Sequence, residues 1–301
     1  MSLCDKRPEP ALSIILVNYN GGLFLQVCLD AVRERTRDME VEVIVVDNGS
    51  TDGSPEAAEA AFPWVRIIRN EGNPGFGAAN NRGWRAGRGK RILFMNTDVV
   101  LAAGTLERLR EVLDEDPAVG AAGPALLQGP GIYQVSYGKK NTFLRELFHK
   151  SLLNRRLRRT AGRGRNVRSV DWVSGAFLLA RREALEKVGG FDEKFFLYFE
   201  DIDLCLRIKE AGWKVVYAPG APSFHEGGAS AASAPLRARY EYRKSQLLFY
   251  RKHNSGLSLV LLKAYLGLSF LFLPQKPPPG RETDPVRSDF FRLLKNRGDS
   301  P

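Results

Sequence analysis

Three carboxylates lie within four residues of the stretch FEDIDL, which spans Phe199 to Leu204. Like charges this close repel each other, and the pKa values of the carboxyl groups rise unless a cation lies nearby. Glu200 and Asp201 fall at the start of a predicted helix, whereas Asp203 comes two residues later and points elsewhere. Acids in a first helical turn also interact favourably with the helix dipole, so capping alone explains one or two of them. The aromatic residues around the cluster favour a functional site over a solvated helix face.

A second carboxylate in a chemically informative place is Asp98, in the stretch NTDVVL at the end of an apolar run. A single carboxylate that projects from a sheet edge can hold a divalent metal through the diphosphate of a substrate. The alternative is a helix N-cap. His225 lies beside glycines in the stretch PSFHEGGAS, and it is a candidate second ligand, although a lone histidine is more often structural.

Two further loops contain groups that suit nucleotide binding. Asp47 directly follows an apolar run, where its carboxylate can accept the imide N–H of uracil or thymine, or ribose hydroxyls. The alternative for Asp47 is an Asx-turn or a helix cap. In GFGAAN, Gly75-Phe76-Gly77 followed by Asn80, the glycines let the backbone approach a diphosphate at a helix N-terminus. Taken alone, this glycine pattern is weak support.

These residues follow apolar runs that alternate with helical patterns. The predicted strands of the first 125 residues are 12–17, 41–47, 65–69 and 91–96. The predicted helices between and after them are one with an apolar face of Leu25, Cys28, Leu29 and Val32, one over about 75–88, and one over about 103–116. Near-continuous apolar strands alternating with helices predict a parallel sheet covered on both faces. Ligands of such sheets bind beyond the carboxyl ends of the strands.

The second half predicts a smaller set of elements. From residue 170 the pattern indicates a strand, a short helix, a loop, a helix over about 200–211 and a strand over 214–218, followed by a helix near 235–253. Residues 256–273 are apolar on all sides apart from Lys263. This segment is slightly short for a membrane span of about 20 residues. A buried helix, a dimer contact and a membrane-seated helix remain open for it.

The charge of the chain is uneven. The formal net charge is +11, and residues 145–168 contain nine Lys or Arg and one acid, Glu146. Such a run suits nucleic acid or an anionic membrane surface, or it is a solvated mobile loop. Three scattered cysteines, Cys4, Cys28 and Cys205, fit a reducing cytosol and argue against a disulfide framework or a zinc knuckle. The polar start of the chain has no signal-peptide pattern.

Taken together, the motifs resemble glycosyltransferase family 2, in particular its bacterial rhamnosyltransferase-like members. The matching stretches are VNYN (17–20), VVDNGSTDGS (45–54), NPGFGAANNRG (73–83), NTDVVL (96–101), WVSGAFLLARREALEKVGGFDEKFFLYFEDIDLCLR (172–207) and FHEGGAS (224–230). The resemblance implies an α/β GT-A fold, which is Rossmann-like, with a mixed, mostly parallel sheet flanked by helices and a C-terminal helical and apolar extension. We assign the glycosyltransferase domain to 1–230, with a donor half of about 11–125, an acceptor half of about 170–230 and a basic insert of about 145–168. The basic insert and the C-terminal end have no obvious counterpart in the family. The extension is 231–301 and is expected to associate with membranes.

The resemblance also implies a role for each motif. The expected nucleotide and donor residues are Val17, Asn18, Tyr19, Asn20, Asp47, Asn73, Gly75, Phe76, Gly77, Asn80, Asn96, Thr97 and Asp98. Trp172 and Gly175 would face the acceptor and the donor sugar. Asp98, in a reduced DxD motif whose first carboxylate is Asn96, would bind Mg²⁺ or Mn²⁺ together with His225. Asp201 would be the general base, and Glu200 would orient the acceptor.

The implied activity is an inverting transfer of a sugar to a glycan or a polyprenyl-linked saccharide in cell-envelope polysaccharide synthesis. The expected donor is a dTDP- or UDP-sugar, with dTDP-rhamnose as the leading candidate, and the enzyme would lie at the cytoplasmic face of an anionic membrane, peripheral or monotopic. Three alternatives remain: a nicotinamide-dependent oxidoreductase built on Gly75-Phe76-Gly77, a non-catalytic relative that keeps the fold, and nucleic-acid binding by 145–168. The first leaves Asp98, His225 and FEDIDL unexplained, and nucleic acid is not the expected partner.

Overall fold

The computed structural model describes residues 10–148, 166–227 and 235–272. The strands are β1 Leu12–Asn18, β2 Val41–Asp47, β3 Arg66–Arg69, β4 Arg91–Asn96, β5 Val99–Val100, β6 Val119–Gly129, β7 Ile132–Tyr133, β8 Tyr137–Gly138, β9 Arg168–Ser169, β10 Trp172–Val173, β11 Phe177–Arg181 and β12 Lys214–His225. The helices are α1 Gly22–Arg35, α2 Ser54–Ala61, α3 Phe76–Ala86, α4 Thr105–Glu115, α5 Phe143–Phe148, α6 Arg182–Val188, α7 Glu200–Glu210, α8 Pro235–His253 and α9 Gly256–Phe272. The predicted basic insert lies mostly outside the described residues.

The donor half is a parallel sheet, as its apolar runs predict. Strands β3, β2, β1 and β4 are neighbours in that order, and each adjacent pair is parallel. Helices α1, α2 and α4 cover one face of the sheet, and α3, α6 and α7 cover the other. Ile14 packs into the first layer and Ile15 into the second, because successive side chains of a strand point to opposite faces. The predicted alternation of strands and helices is therefore confirmed for this half.

The acceptor half extends the same sheet and makes it mixed. Strand β11 is antiparallel to both of its neighbours, β4 and β6, while β12 is parallel to β6. Strands β4, β6 and β12 therefore point in one direction, and their carboxyl ends share one edge with β1 and β2. A bulge between Ala218 and Ser223 lets β12 run on to His225, well past the predicted end at 218.

Sequence reasoning missed strand β6, which is almost wholly buried. Its sequence VGAAGPALLQG has few β-branched residues, so sequence patterns predict a loop there. The small residues are explained by close packing. A Cβ atom added at Gly120 would lie 2.7 Å from the Cβ of Trp213, and one added at Gly123 would lie 2.7 Å from the Cβ of Val173.

The C-terminal helices α8 and α9 pack on the apolar side of α7 and on the segment before it. This cluster is formed by Phe195, Phe199, Ile202, Leu206, Leu247, Phe249, Tyr250, Leu262 and Leu266. In the part of the chain that the structure describes, no helix is both long and apolar enough to cross a membrane. The extension is therefore attached directly to the helix that begins with the FEDIDL carboxylates.

A buried ionic cluster fixes the end of α8 to α7. The carboxylate of Asp203 is fully buried and accepts hydrogen bonds from Arg207 Nε at 2.8 Å, His253 Nε2 at 2.7 Å and Lys252 Nζ at 2.7 Å. Burial alone would raise the pKa of Asp203, but the hydrogen bond from His253 and the charge of Arg207 outweigh it and lower this pKa to about 2. Asp203 therefore has a structural role, apart from the cavity side of Glu200 and Asp201.

The Asp203 cluster should make stability depend on pH in the acid range. A carboxyl group whose pKa is lowered by folding stabilises the folded state above its unfolded pKa, and that contribution disappears as the pH falls through the folded pKa. We expect Asp203→Asn to lower the free energy of unfolding by about 2 kcal/mol at pH 6, and the gap to wild type to narrow from pH 4 to pH 2. Urea unfolding at several pH values measures this difference in the free energy of unfolding.

The control is Asp116→Asn, which removes an exposed ion pair with Lys214 and should change the free energy of unfolding little. A gap that stays constant down to pH 2 would contradict the assignment.

Candidate active site

A cavity of about 870 Å³ opens at the carboxyl edge of the sheet. Most of the residues singled out in the sequence line it, although they come from strands and loops far apart in the chain. These residues are Val17, Tyr19, Asn20, Asn73, Gly75, Phe76, Asn96, Thr97, Asp98, Trp172, Gly175, Glu200, Asp201 and His225. The common location of the NTD motif, the FEDIDL acids and His225 supports one site rather than several.

Two backbone hydrogen bonds hold the carboxylate of Asp201 in a fixed orientation in this cavity. Its Oδ2 accepts a hydrogen bond from the backbone N–H of Gly175 at 2.8 Å, and its Oδ1 accepts one from the N–H of Ile202 at 2.8 Å. Gly175 lets the two chains approach closely, because a Cβ atom on it would lie 3.1 Å from the Cβ of Asp201. Burial raises the pKa of Asp201, and the two backbone hydrogen bonds oppose this rise. Each carboxylate oxygen can still accept a second hydrogen bond.

Glu200 lies beside Asp201 in a very different environment. It is 5% exposed, and its Oε2 is buried with no hydrogen-bond partner among the described residues. Burial, and next the negative charge of Asp201, raise the pKa of Glu200 well above its ordinary value. Two backbone hydrogen bonds stabilise the ionised form of Asp201, so the rise in pKa is smaller for Asp201 than for Glu200. Asp201 is therefore the carboxyl group of the pair that ionises more readily and is available to accept a proton.

The turn before this pair has an unusual backbone. Tyr198 and Phe199 both have φ of 69°, in the left-handed region that costs a residue with a side chain about 1–3 kcal/mol. Helix α8 holds the turn in place. The Ser245 hydroxyl donates to the Leu197 carbonyl at 2.8 Å, and the ring of Tyr242 lies 5.5 Å from that of Tyr198. The position of Asp201 thus depends on α8.

Asp98 and His225 meet where β5 pairs with the end of β12. Asp98 Oδ1 lies 3.2 Å from His225 Nε2. The other ring nitrogen, Nδ1, lies 2.8 Å from Gln134 Oε1, which can only accept a hydrogen bond. This contact keeps a proton on Nδ1, so Nε2, which donates to Asp98 when it is protonated, is the ring nitrogen that can bind a cation once that proton is lost. Burial would raise the pKa of Asp98, but the hydrogen bond and charge of His225 outweigh it and lower this pKa.

The residues at this point fit a divalent cation that a nucleotide helps to hold. Asp98 offers a carboxylate, His225 offers Nε2, and the buried Oδ1 of Asn96 has no hydrogen-bond partner among the described residues. No group of three His, Cys, Asp or Glu residues suited to a metal occurs within the described ranges. Mg²⁺ commonly takes one or two protein carboxylates and completes its shell with phosphate oxygens and water. This donor set matches that pattern.

Four of the expected donor residues lie behind the cavity wall rather than on it. Asp47 is 3% exposed, and its carboxylate accepts hydrogen bonds from Asn18 Nδ2 at 2.9 Å and from the Ser50 hydroxyl at 2.6 Å and N–H at 3.0 Å. Asp47 therefore forms the turn that was the alternative interpretation. Direct contact of Asp47 and Asn18 with a nucleoside stays a prediction. Asn48, the next residue, lines the cavity instead and lies 3.2 Å from Asn73.

The glycine-rich loop packs against the acceptor half. Gly75 has φ of 99°, and a Cβ atom on it would lie 2.5 Å from the Phe196 carbonyl oxygen, which accepts the N–H of Phe76 at 2.9 Å. Gly77 faces Phe191, and Asn80 donates to the Phe76 carbonyl at 3.0 Å. Gly77 and Asn80 are thus the other two residues behind the wall, and their contact with the donor also stays a prediction.

Sequence reasoning missed the wall that the C-terminal helices contribute. Helix α8 contributes Arg237, Ala238, Glu241 and Tyr242, and the structure also adds polar residues from other elements, among them Asn48, Asn141, Glu146 and Ser174. One signal was available, because Glu241 is the single acid in the basic, aromatic sequence of α8. Gln134 was also missed, and it carries no motif.

Comparison with known proteins agrees with the geometry. The model of the family described as "Glycosyl transferase family 2" matches residues 13–189. The chain belongs to glycosyltransferase family 2. It is 34% identical over 263 residues to the N-acetylglucosaminyl-diphospho-decaprenol L-rhamnosyltransferase of Mycobacterium tuberculosis, and the match covers 81% of this chain and 85% of that protein.

The solved structures show the same fold at low sequence identity. A mannosyltransferase from Pyrobaculum calidifontis, in complex with GDP-Man and Mn²⁺, matches with a TM-score of 0.55 and 19% identity over 95% of this chain and 85% of its own. GalNAc-T7 with UDP, GalNAc and Mn²⁺ matches with a TM-score of 0.56 and 16% identity over 90% of this chain and 60% of its own. The GT-A-like fold is therefore confirmed. The protein is a glycosyltransferase, which excludes the oxidoreductase and non-catalytic alternatives.

Proposed function

We propose that this enzyme transfers L-rhamnose from dTDP-rhamnose, with inversion, to a sugar hydroxyl of a polyprenyl-diphosphate-linked saccharide in cell-envelope synthesis. The observation that carries the proposal is that Asp201 and the Asp98–His225 pair line one cavity. The mycobacterial relative supports the choice of sugar and acceptor, since its name specifies a rhamnosyl transfer to N-acetylglucosaminyl-diphospho-decaprenol. A UDP-sugar is the second candidate donor.

Asp201 is the general base of the proposed reaction. It takes the proton of the acceptor hydroxyl while that oxygen forms a bond to the anomeric carbon of the donor. The bond from this carbon to the phosphate oxygen breaks, and its electron pair leaves with the nucleoside diphosphate. Because attack and departure occur on opposite faces, the configuration inverts. General-base catalysis contributes about 10²–10⁴-fold to the rate, and Glu200 orients the acceptor beside the base.

Asp98 and His225 Nε2 are the protein groups that would hold Mg²⁺ or Mn²⁺ with the donor diphosphate. When bound, the cation neutralises negative charge that develops on the leaving diphosphate. Gln134 keeps the histidine in the required tautomer. The Mn²⁺ in two structural relatives supports a divalent cation in this fold and leaves its identity here open.

The nucleoside end of the donor is assigned to the loops after β1, β2 and β3. Tyr19 offers a ring, and Asn20, Asn48 and Asn73 offer amides that can pair with a base or a ribose. Val17, near the end of β1, lines the same part of the cavity. The buried Asn18–Asp47 hydrogen bond holds the first two loops together.

Calorimetric titration with dTDP, UDP and GDP, each with and without Mn²⁺, tests the proposal. We expect one nucleoside diphosphate to bind, and to bind more tightly with the metal. NMR of the product formed from dTDP-rhamnose and the lipid-linked acceptor should then show the inverted anomeric configuration. Retention of configuration, or metal-independent binding of every nucleotide, would contradict the mechanism.

The outer face of α9 is proposed to rest on the membrane that carries the acceptor. Leu257, Val260 and Leu268 are 69%, 62% and 56% exposed, and their spacing places them on one side of the helix. Residues 242–272 contain no Asp or Glu and five Lys or Arg. Each basic residue near an anionic surface contributes about 1 kcal/mol. The basic residues 149–165, outside the described residues, would add to this attraction.

We expect the protein to sediment with anionic phospholipid vesicles at low salt. Replacing Leu257, Val260 and Leu268 together with Ser should lower the vesicle-bound fraction by about tenfold or more. The variant no longer has the three apolar side chains that would bury their surface in the membrane. Leu23→Ser, which changes an equally exposed leucine on α1, is the matched control. Equal retention on duplex DNA and on vesicles at the same salt would favour nucleic-acid binding instead.

A further inference from the structure

Helix α8 supplies one wall of the cavity from outside the residues that the family model matches. Arg237, Ala238, Glu241 and Tyr242 line the cavity, while the family match ends at residue 189. Its seat against the turn before Asp201, through Ser245 and Tyr242, fixes this wall relative to the base. The α8 wall is therefore an ordered part of the cavity to which no ligand has yet been assigned.

Glu241 is the unexplained group of the α8 wall. It is 8% exposed, and its Oε2 is buried without a hydrogen-bond partner among the described residues. The nearest cation is Lys244, whose Nζ lies 3.7 Å from that oxygen, which is too far for a hydrogen bond, and whose side chain is 47% exposed. A buried carboxylate oxygen without a donor is destabilising. Glu241 also lines the cavity, where a bound ligand can bring a donor to its carboxylate.

The surroundings of Glu241 define the chemistry of that ligand. The ring of Tyr242 lies 5.2 Å from that of Phe199, and Trp172 also lines the cavity, so apolar ring faces are available. The second carboxylate oxygen without a partner in this cavity belongs to Glu200. Ring faces next to acceptor-only oxygens suit a neutral ligand that combines C–H faces with hydroxyl donors. That ligand is a sugar ring.

Two other ligand classes fit the α8 wall less well. The carboxylates of Asp201 and Glu241 disfavour an anion more than the cation of the α8 wall, Arg237, favours it. A second cation is disfavoured because Glu241 is the only carboxylate among the α8 residues that line the cavity. Glu146 of α5, which also lines the cavity, lies 3.6 Å from Arg243 Nη1.

We propose that Glu241 accepts a hydrogen bond from a hydroxyl of the acceptor sugar, and that the α8 wall is the subsite that selects this sugar. The proposal rests on the proposed function, since it names where the acceptor of that reaction binds. Glu241 is a specificity residue in this assignment, whereas Asp201 carries out the proton transfer. The unpaired oxygen in the free enzyme is then a binding group that becomes satisfied when the acceptor enters.

Glu241→Gln tests the subsite, with an N-acetylglucosaminyl diphosphate on a short prenyl chain as the acceptor probe. A hydrogen bond to a charged group contributes about 1.5–3 kcal/mol, so the Kd of the probe and the acceptor KM should rise by about tenfold or more. The Kd for dTDP with Mn²⁺ should not change. The melting temperature should stay equal or rise, because the substitution removes a buried charge whose ion-pair partner, Lys244, is half exposed and 3.7 Å away. Glu241→Leu should weaken the probe further and raise the melting temperature more.

Two controls separate binding from a structural role. Lys244→Ala removes the nearby ammonium and should leave the probe affinity unchanged, and Glu210→Gln changes an exposed acid on α7 and should do the same. An unchanged probe Kd in Glu241→Gln, or the same loss in Lys244→Ala, would overturn the subsite. Failure of the wild-type enzyme to bind the probe would also overturn it. Binding of the probe without binding of dTDP would instead count against the proposed donor and leave the subsite standing.

Discussion

Asp201→Asn is expected to lower kcat for sugar transfer by about 10²–10⁴-fold while the affinity for the nucleotide stays the same. The amide is nearly isosteric with the carboxylate, and one oxygen can still accept the Gly175 N–H. It cannot take a proton from the acceptor hydroxyl. The measurement is steady-state transfer from dTDP-rhamnose to the lipid-linked probe, with the dTDP affinity determined separately by calorimetry.

The pH dependence of the rate gives a second readout for Asp201. Because burial raises the pKa of this base, wild-type activity should fall on the acid side at a higher pH than for an ordinary aspartate. This acid limb should be absent from the residual activity of Asp201→Asn. Glu200→Gln is the comparison variant, because Glu200 orients the acceptor and does not take its proton, so the substitution should raise the acceptor KM more than it lowers kcat. Full activity of Asp201→Asn, or a larger loss in Glu200→Gln, would assign the base to the other carboxylate.

The donor half was predictable because its strands are buried on both faces. The runs LSIILVN and VEVIVVD can lie only in the middle of a covered sheet, and both form neighbouring parallel strands there. Strand β6 was not predictable in this way, since its glycines and alanines are selected by Trp213 and Val173, which are distant in sequence. Local patterns contain no information about such contacts.

The candidate site, like the fold, could be predicted from the sequence only in part. Asp98, His225 and Asp201 were expected from motifs, because these groups must occupy the sheet edge whatever surrounds them. Asp47 was expected to face the nucleoside, and that contact stays a prediction, since the structure surrounds its carboxylate with donors from Asn18 and Ser50. Whether a polar side chain at a strand end faces a ligand or its own loop depends on one rotamer, which the sequence does not determine. The α8 wall forms because a helix about 40 residues after Asp201 packs against the turn before Asp201. No sequence motif predicts that packing.

Asp98→Asn is expected to abolish the difference between nucleotide affinities measured with and without Mn²⁺. Removing the carboxylate leaves one imidazole nitrogen facing the diphosphate, and a neutral amide is a poor ligand for a hard cation. The loss of charge stabilisation on the leaving group should also lower kcat by about 10²–10³-fold. Calorimetry with dTDP at several Mn²⁺ concentrations, together with the transfer assay, measures both effects. Asp116→Asn, at an exposed ion pair, is the control that should change neither.

Gln134→Leu separates a metal site from a simple Asp98–His225 ion pair. Gln134 touches neither the expected cation nor the expected donor, and its contact with His225 Nδ1 keeps Nε2 available as a ligand. Loss of such an outer partner typically costs about 10–100-fold in metal affinity. The apparent Mn²⁺ affinity measured in the presence of saturating dTDP should therefore fall by that factor, while the affinity for dTDP without metal stays the same. If the pair served only to bridge β5 and β12, Gln134→Leu would lower the melting temperature and leave the Mn²⁺ dependence intact, and that outcome would remove the metal from the mechanism.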